Sequence, residues 1–162
     1  MPHIFGAAYR LSKAFDKMGG YADFLLKMMK TELDDRQHTE QEKRIKNARF
    51  PTIKTLDEFD MHRLEHISED CIRELSSCDF IGKRQNVIMV GNPGSGKTHL
   101  ATALGINACC AGFKVRFYTA VSLATELSEA LQESRLSRLE KSLQKFDLLI
   151  IDELSFLTFN RS

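Results

Sequence analysis

The chain has 162 residues, a formal net charge of +1, 43% hydrophobic and 28% charged residues, which is the size and mix of one soluble globular domain with a small appendage. Three Pro and nine Gly exclude a collagen-like or low-complexity chain, and no apolar run reaches the length of a membrane span. Residues 1–17, MPHIFGAAYRLSKAFDK, lack the basic and apolar regions of a secretory signal, and Cys71, Cys78, Cys109 and Cys110 do not form a disulfide framework, so a reducing cytoplasm is the expected setting.

Tyr21 to Asn47 reads as a helix, because Tyr21, Phe24, Leu25 and Met28 repeat at helical spacing after the breaker Gly19-Gly20. The stripe fades after Leu33 into a charged extension, and Pro51 marks a boundary at Phe50. The stripe reads as a small helical core or a subunit contact. Thr52 to Asp60 is a linker. His62 to Cys78 reads as a second helix with Leu64, Ile67, Cys71 and Leu75 on one face. Val87 to Val90 is then an apolar strand, and Thr98 to Ala111 a helix with Leu100, Ala101, Leu104 and Ala108 inward and Gly112 ending it. Val115 to Tyr118 is a second strand. Ser122 is the expected N-cap of a helix carrying Leu123, Leu127 and Leu131, and Leu136, Leu139 and Leu143 continue a helical face. Leu148 to Ile151 is a third strand, apolar throughout and suited to burial on both faces. Strands alternating with helices predict an α/β fold with a parallel sheet. The expected division is a helical segment 1–50, a linker and helix 51–84, and a nucleotide-binding domain 85–162.

The near-neutral total conceals segregated charge. Lys43 to Lys54 holds five bases and no acid, Thr55 to Phe80 holds eight acids and two bases, and Ile81 to Thr125 holds no acid at all. An acid-free stretch tolerates a polyanion, and a short basic run suits a nucleic-acid backbone. The acidic stretch reads as a solvated face.

Gly91-Asn92-Pro93-Gly94-Ser95-Gly96-Lys97-Thr98 fits G-x-x-x-x-G-K-[ST] at every fixed position, between an expected strand and an expected helix. Its glycines let backbone N–H groups line an anion-holding concavity, and the following helix adds its positive end. Lys97 supplies an ammonium for the β- and γ-phosphates of ATP and Thr98 a hydroxyl for Mg²⁺. His99, the next residue, closes the nucleotide-binding set and reads as a helix-surface residue rather than a catalyst. Asp152-Glu153 ends the last apolar strand, at the sheet edge where ligands of open α/β folds sit. Asp152 is expected to organise Mg²⁺ and Glu153 to polarise the attacking water, so Lys97, Asp152 and Glu153 form the expected catalytic set. The glutamate argues for hydrolysis and against a small-molecule phosphotransferase.

The stretches EKRIKNARFPTIKTLDEFD, NVIMVGNPGSGKTHLATALG, VRFYTAVSLATELSEAL and FDLLIIDELSFL resemble the IstB-like ATPases, AAA+ helpers of insertion-sequence transposition related to DnaC-type helicase loaders. The block before the P-loop narrows the resemblance beyond P-loop NTPases in general. The resemblance implies DNA binding without strong sequence preference, ATP-dependent homo-oligomers, a transposase partner, and an arginine finger supplied in trans. It also implies that Leu56 to Phe59 lies near the adenine. With the resemblance, Arg36, Lys43, Arg44, Lys46 and Arg49 are expected to meet DNA phosphate. The family's sheet continues with a sensor strand lying between the strands of Val87–Val90 and Leu148–Ile151, so the chain reads as cut about midway through the ATPase sheet, with weak nucleotide binding and poor hydrolysis. A replicative helicase loader is the rival reading. A zinc site at His62, His66, Cys71 and Cys78 is disfavoured, since the spacing matches no usual ligand pair and Cys71 reads as core. Cys109-Cys110 reads as packing plus one partly exposed thiol.

Overall fold

The computed structural model describes residues 21–56 and 68–154. Compactness divides the chain into two units, Met1–Glu42 and Lys43–Ser162. Helix α1, Tyr21–Ala48, is one continuous 28-residue element. It ends where Arg49 takes a left-handed φ of +58° and Pro51 bars further helix. The expected helix is thus present, but Leu25, Leu26, Met28, Met29 and Leu33 on its N-terminal half are all exposed.

The second unit contains α2 (Glu69–Ser76), α3 (Asp79–Gly82), α4 (Lys97–Cys110), β1 (Val115–Thr119), α5 (Ala120–Gln132), α6 (Leu136–Leu143) and β2 (Leu148–Asp152). The strands β1 and β2 pair in parallel, with Val115 opposite Leu148 and Thr119 opposite Asp152. A parallel pair needs a long crossover, and α5 and α6 supply it. Among the described residues the sheet has these two strands.

Helix α4 carries the core. Leu100, Ala103, Leu104, Ile106, Ala108 and Cys109 are buried around it. Towards its C-terminus, Ala108 and Cys109 pack with Ala48, Cys78 and Val115, flanked by Ile45, Phe50, Leu148 and Ile150. Towards its N-terminus, Leu100 and Leu104 pack with Leu56, Leu75 and Met89. Gly105 lies where α4 packs against β2 and Phe50. A Cβ placed there would stand 2.6 Å from Ile150 Cδ1 and 2.7 Å from Phe50 Cε1. Phe50 in turn meets Phe117 edge to face at 6.2 Å.

Several expectations need correction. Val87–Val90 is not a strand. A strand is held by its ladder partners, and residues 85–90 have no regular structure, with Ile88 82% and Val90 91% exposed. Met89 alone of the four is turned towards the core. Strand β2 is not buried on both faces: its burial alternates, and Leu149 and Ile151 are each 39% exposed. Ser122 is not the N-cap of α5. Thr119 is, its Oγ1 accepting from Ser122 N at 3.1 Å, so the helix starts directly at the end of β1. Leu136 to Leu143 forms a separate helix, because Ser134 turns the chain with φ +55°.

Cys71 is exposed rather than core. The buried face of α2 runs through Ile72 and Leu75 instead, and Ser68 caps the helix by accepting from Cys71 N at 3.2 Å. Residues 62–67, with His62, Leu64, His66 and Ile67, lie outside the described residues, as do residues 57–59 of the segment expected near adenine.

Cys109 is buried and Cys110 exposed, as expected of the pair. Burial pushes the Cys109 thiol up to about 11, aided by the neighbouring Cys110, and burial also raises Cys78. Cys71 and Cys110 are therefore expected to react with a thiol reagent at pH 8 in the folded protein. Cys78 and Cys109 should react on unfolding; four fast thiols would refute this. The sign of the linkage follows: below pH 9 both states hold the Cys109 proton. Between 9 and about 11 the unfolded chain loses it first, so stability falls as pH rises through that window.

Candidate functional site

The P-loop is built by backbone conformation before any side chain acts. Asn92 O accepts from Ser95 N at 3.2 Å, with Pro93 and Gly94 in the two central positions of the turn. Proline presets the φ of the second position and Gly94, at φ +79°, meets the demand of the third. Gly96 has φ +89° and is the N-cap of α4, so the chain enters the helix through a conformation that a side chain would strain. A Cβ on Gly91 would lie 3.1 Å from Ser95 Oγ, which keeps this position small as well. Leu100 N donates to Gly96 O at 2.9 Å as the first turn of α4 closes. The first amides of α4 thus face the loop, with the positive end of the helix behind them.

Lys97 turns back over this loop. Its Nζ donates to the carbonyls of Gly91 and Asn92, both at 2.7 Å, and to Ser95 Oγ at 3.3 Å. The ammonium is therefore held beside the loop's concave side. Thr98 Oγ1 donates to Asp152 Oδ2 at 2.7 Å, a contact between residues 54 apart in sequence. The other carboxylate oxygen, Oδ1, accepts from Glu153 N at 2.9 Å. Glu153 has φ +61°, where the backbone leaves β2. Two motifs at opposite ends of the domain are thereby brought into direct contact. The parallel register supports this, because Asp152 is the last β2 residue of the ladder, opposite Thr119. A hydroxyl and a carboxylate are hard oxygen donors, the type that Mg²⁺ prefers.

His99 does not lie free on the surface of α4. Its Nε2 is 3.3 Å from Thr55 O, next to Leu56, which packs on Leu100 and Leu104. The first turn of α4 so holds the segment that precedes residue 57.

Two of the bases expected to meet DNA, Arg36 and Arg44, make contacts within the protein, and so does Arg116. Arg44 is not simply a solvated cation: its Nε donates to Cys109 O at 2.8 Å, near the C-terminus of α4. Arg116 Nη1 donates to Asn47 O at 3.0 Å near the end of α1, and its guanidinium lies 5.1 Å from the Tyr118 ring centroid. Arg36 pairs with Glu32 at 2.9 Å. Lys46 and Arg49 are exposed. Sequence reasoning missed Arg116 and Gly105. No motif marks them, and only their tertiary contacts bring them out. We expect Arg44→Glu to lower stability by about 1–3 kcal/mol, because it buries a carboxylate against a carbonyl. Lys46→Glu should leave the unfolding midpoint within error, and equal midpoints for the two variants would refute the Arg44 assignment.

No helix among the described residues is long and apolar enough to cross a membrane. A family model described as IstB-like ATP binding protein matches residues 1–162. A Pseudomonas aeruginosa protein named as an ATP-binding protein of insertion sequence IS21 is 40% identical over 151 residues, 93% of this chain and 57% of its own length. A Geobacillus stearothermophilus protein, named for insertion sequence IS5376, is 36% identical over 85% of this chain and 55% of its own length. A Bacteroides fragilis protein named as IS21-like is 32% identical over 90% of this chain and 73% of its own length. The chain spans little more than half the length of the first two. With the P-loop and Asp152 in contact and the match running over every residue, the chain belongs to the family of IstB-like ATP-binding proteins.

Proposed function

We propose that this chain is the nucleotide-binding part of a DNA-binding helper ATPase of insertion-sequence transposition. The observation that carries the reading is the 2.7 Å contact between Thr98 and Asp152, which makes one site of two distant motifs. Gly91 to Thr98 cradles the phosphates of ATP through backbone N–H groups, and Lys97 swings from the Gly91 and Asn92 carbonyls onto the β- and γ-oxygens. Thr98 and Asp152 would hold Mg²⁺, which would supply charge neutralisation at the phosphates. Glu153 orients and polarises the attacking water at the end of β2. His99 keeps Thr55 and Leu56 against α4, at the start of the segment that the resemblance brings near the adenine. The exposed bases Lys46, Arg49 and Lys54 meet DNA phosphate. ATP-bound copies assemble on DNA, and a transposase is the partner that receives it.

Nucleotide binding is measured by titrating a fluorescent ATP analogue with and without Mg²⁺, and DNA binding by anisotropy over a salt series. Affinity for ATP that depends on Mg²⁺ and falls in Asp152→Asn supports the site. No binding to the wild-type chain at millimolar nucleotide overturns it. Lys46→Glu is expected to reduce the slope of log K against log salt by about 1. An unchanged slope removes Lys46 from the DNA surface.

A further inference from the structure

Thr102 of α4 is 1% exposed, and its Oγ1 has no hydrogen-bond partner among the described residues. Even the carbonyl one turn back, which a helical threonine commonly uses, does not receive it. A buried hydroxyl left unpaired costs free energy, so its presence calls for a reason. Arg116 Nε is also unpaired, but that guanidinium is held by Asn47 O and the Tyr118 ring. The Thr102 hydroxyl has no such second contact.

The helix decides where this hydroxyl lies. Thr98, Thr102, Gly105 and Cys109 succeed one another along α4 at spacings that keep them within about 60° on the helix surface. The residues on either side of Thr102 in this stripe both face β2. Thr98 Oγ1 donates to Asp152 Oδ2 at 2.7 Å, and a Cβ on Gly105 would stand 2.6 Å from Ile150 Cδ1. Thr102 therefore sits directly behind the Thr98–Asp152 contact. In the direction of Gly105 the stripe meets carbon atoms of Ile150 and Phe50, which accept no hydrogen bond. In the direction of Thr98 stands the Asp152 carboxylate. Its two oxygens offer about four acceptor positions, and Thr98 Oγ1 and Glu153 N use only part of them. The Cα–Cβ bonds of a helix tilt towards its N-terminus, which here is the direction of Asp152. A helical threonine also has two accessible χ1 rotamers, so its hydroxyl can turn while the backbone stays in place.

We propose that Thr102 is a positioning residue for the nucleotide site: when Mg²⁺–nucleotide binds at Thr98 and Asp152, the Thr102 hydroxyl turns and donates to the Asp152 carboxylate. A charge-assisted bond of this kind fixes the orientation of a metal-binding carboxylate. The hydroxyl is unpaired before binding, so the bond is gained on binding and its effect falls on affinity. The inference rests on the nucleotide site proposed above and adds to it a residue that touches neither metal nor phosphate.

Thr102→Val and Thr102→Ser test it in the whole chain. A fluorescent ATP analogue is titrated in Mg²⁺ and in EDTA, and thermal melting is followed without nucleotide. Thr102→Val keeps the shape and removes the hydroxyl. It should melt at or above the wild-type temperature, because it loses no bond and no longer buries an unpaired group. Its affinity for the analogue in Mg²⁺ should fall about tenfold, while its affinity in EDTA stays unchanged. Thr102→Ser keeps the hydroxyl and loses a buried methyl group. It should melt lower than wild type, yet bind in Mg²⁺ within about threefold of it. Stability and affinity are thus expected in opposite orders, which a purely structural role does not produce. A Thr102→Val chain that binds like wild type, or a Thr102→Ser chain weakened as much as Thr102→Val, overturns the proposal and leaves the nucleotide site standing. A Thr102→Val chain that melts several degrees lower also overturns it, since the hydroxyl would then be paired before binding. A wild-type chain that binds no nucleotide in Mg²⁺ overturns both.

Discussion

Lys97→Ala is expected to lower ATP affinity at least about 100-fold, equivalent to about 2.7 kcal/mol, with almost no change in stability. The two effects separate because of how the lysine is held. Its partners, the carbonyls of Gly91 and Asn92 and the hydroxyl of Ser95, belong to an exposed or half-exposed loop and can turn to water when the ammonium is removed. The loop itself is shaped by other means: the Asn92–Ser95 turn, the left-handed Gly94 and Gly96, and the first turn of α4. A phosphate chain, in contrast, loses its one mobile cation in the motif. Calorimetric titration measures the affinity, and thermal melting without nucleotide measures the fold. Affinity within threefold of wild type would refute the role. A melting point lower by many degrees would refute the separation, and would mean that the lysine's contacts with the loop stabilise the domain.

Gly105→Val is expected to destabilise the second unit by about 3 kcal/mol. The new Cβ alone falls 2.6 Å from Ile150 Cδ1 and 2.7 and 2.9 Å from two Phe50 ring atoms. None of these can step aside freely, since Phe50 is wedged against Phe117 and Ile150 packs in the same cluster. Interiors at crystal-like density transmit such a displacement rather than absorb it. The branched side chain adds two methyl groups to that clash. Gly105→Ala should cost less, since alanine's better helix propensity returns about 1 kcal/mol. The shift of α4 against β2 has a functional corollary. Thr98 and Asp152 sit on those two elements, so the 2.7 Å contact is expected to loosen and Mg²⁺-dependent nucleotide affinity to fall with stability. Denaturant titration of the three proteins checks the order, and a Val variant as stable as wild type would show that the core can open at that point.

The loop from Gly91 to Thr98 was legible in the sequence because its backbone conformation is set locally. Gly94 and Gly96 serve backbone angles that neighbouring residues set, and Lys97 and Thr98 follow them by covalent spacing. Helix α1, helix α4 and strands β1 and β2 were also legible, since apolar period and breakers act over a few residues. Other features were not. Val87–Val90 has the composition of a strand, yet a strand exists only with a ladder partner, which composition does not supply. Cys71 and Ile72 are adjacent and both apolar enough for a core, so the choice between them is made by where α4 lies.

What the sequence determined by itself is a family, a glycine-rich loop between α4 and the residues before it, and the order of the elements, because each is carried by short-range spacing. Only the tertiary structure decided that Arg44 and Arg116 bond helix-end carbonyls and that Gly105 is where α4 meets β2. It also decided that the apolar stripe of α1 stays exposed and that Thr98 reaches Asp152 across 54 residues. Those facts depend on which surfaces meet, and packing selects the meeting surfaces from many that the same hydrophobic pattern would allow.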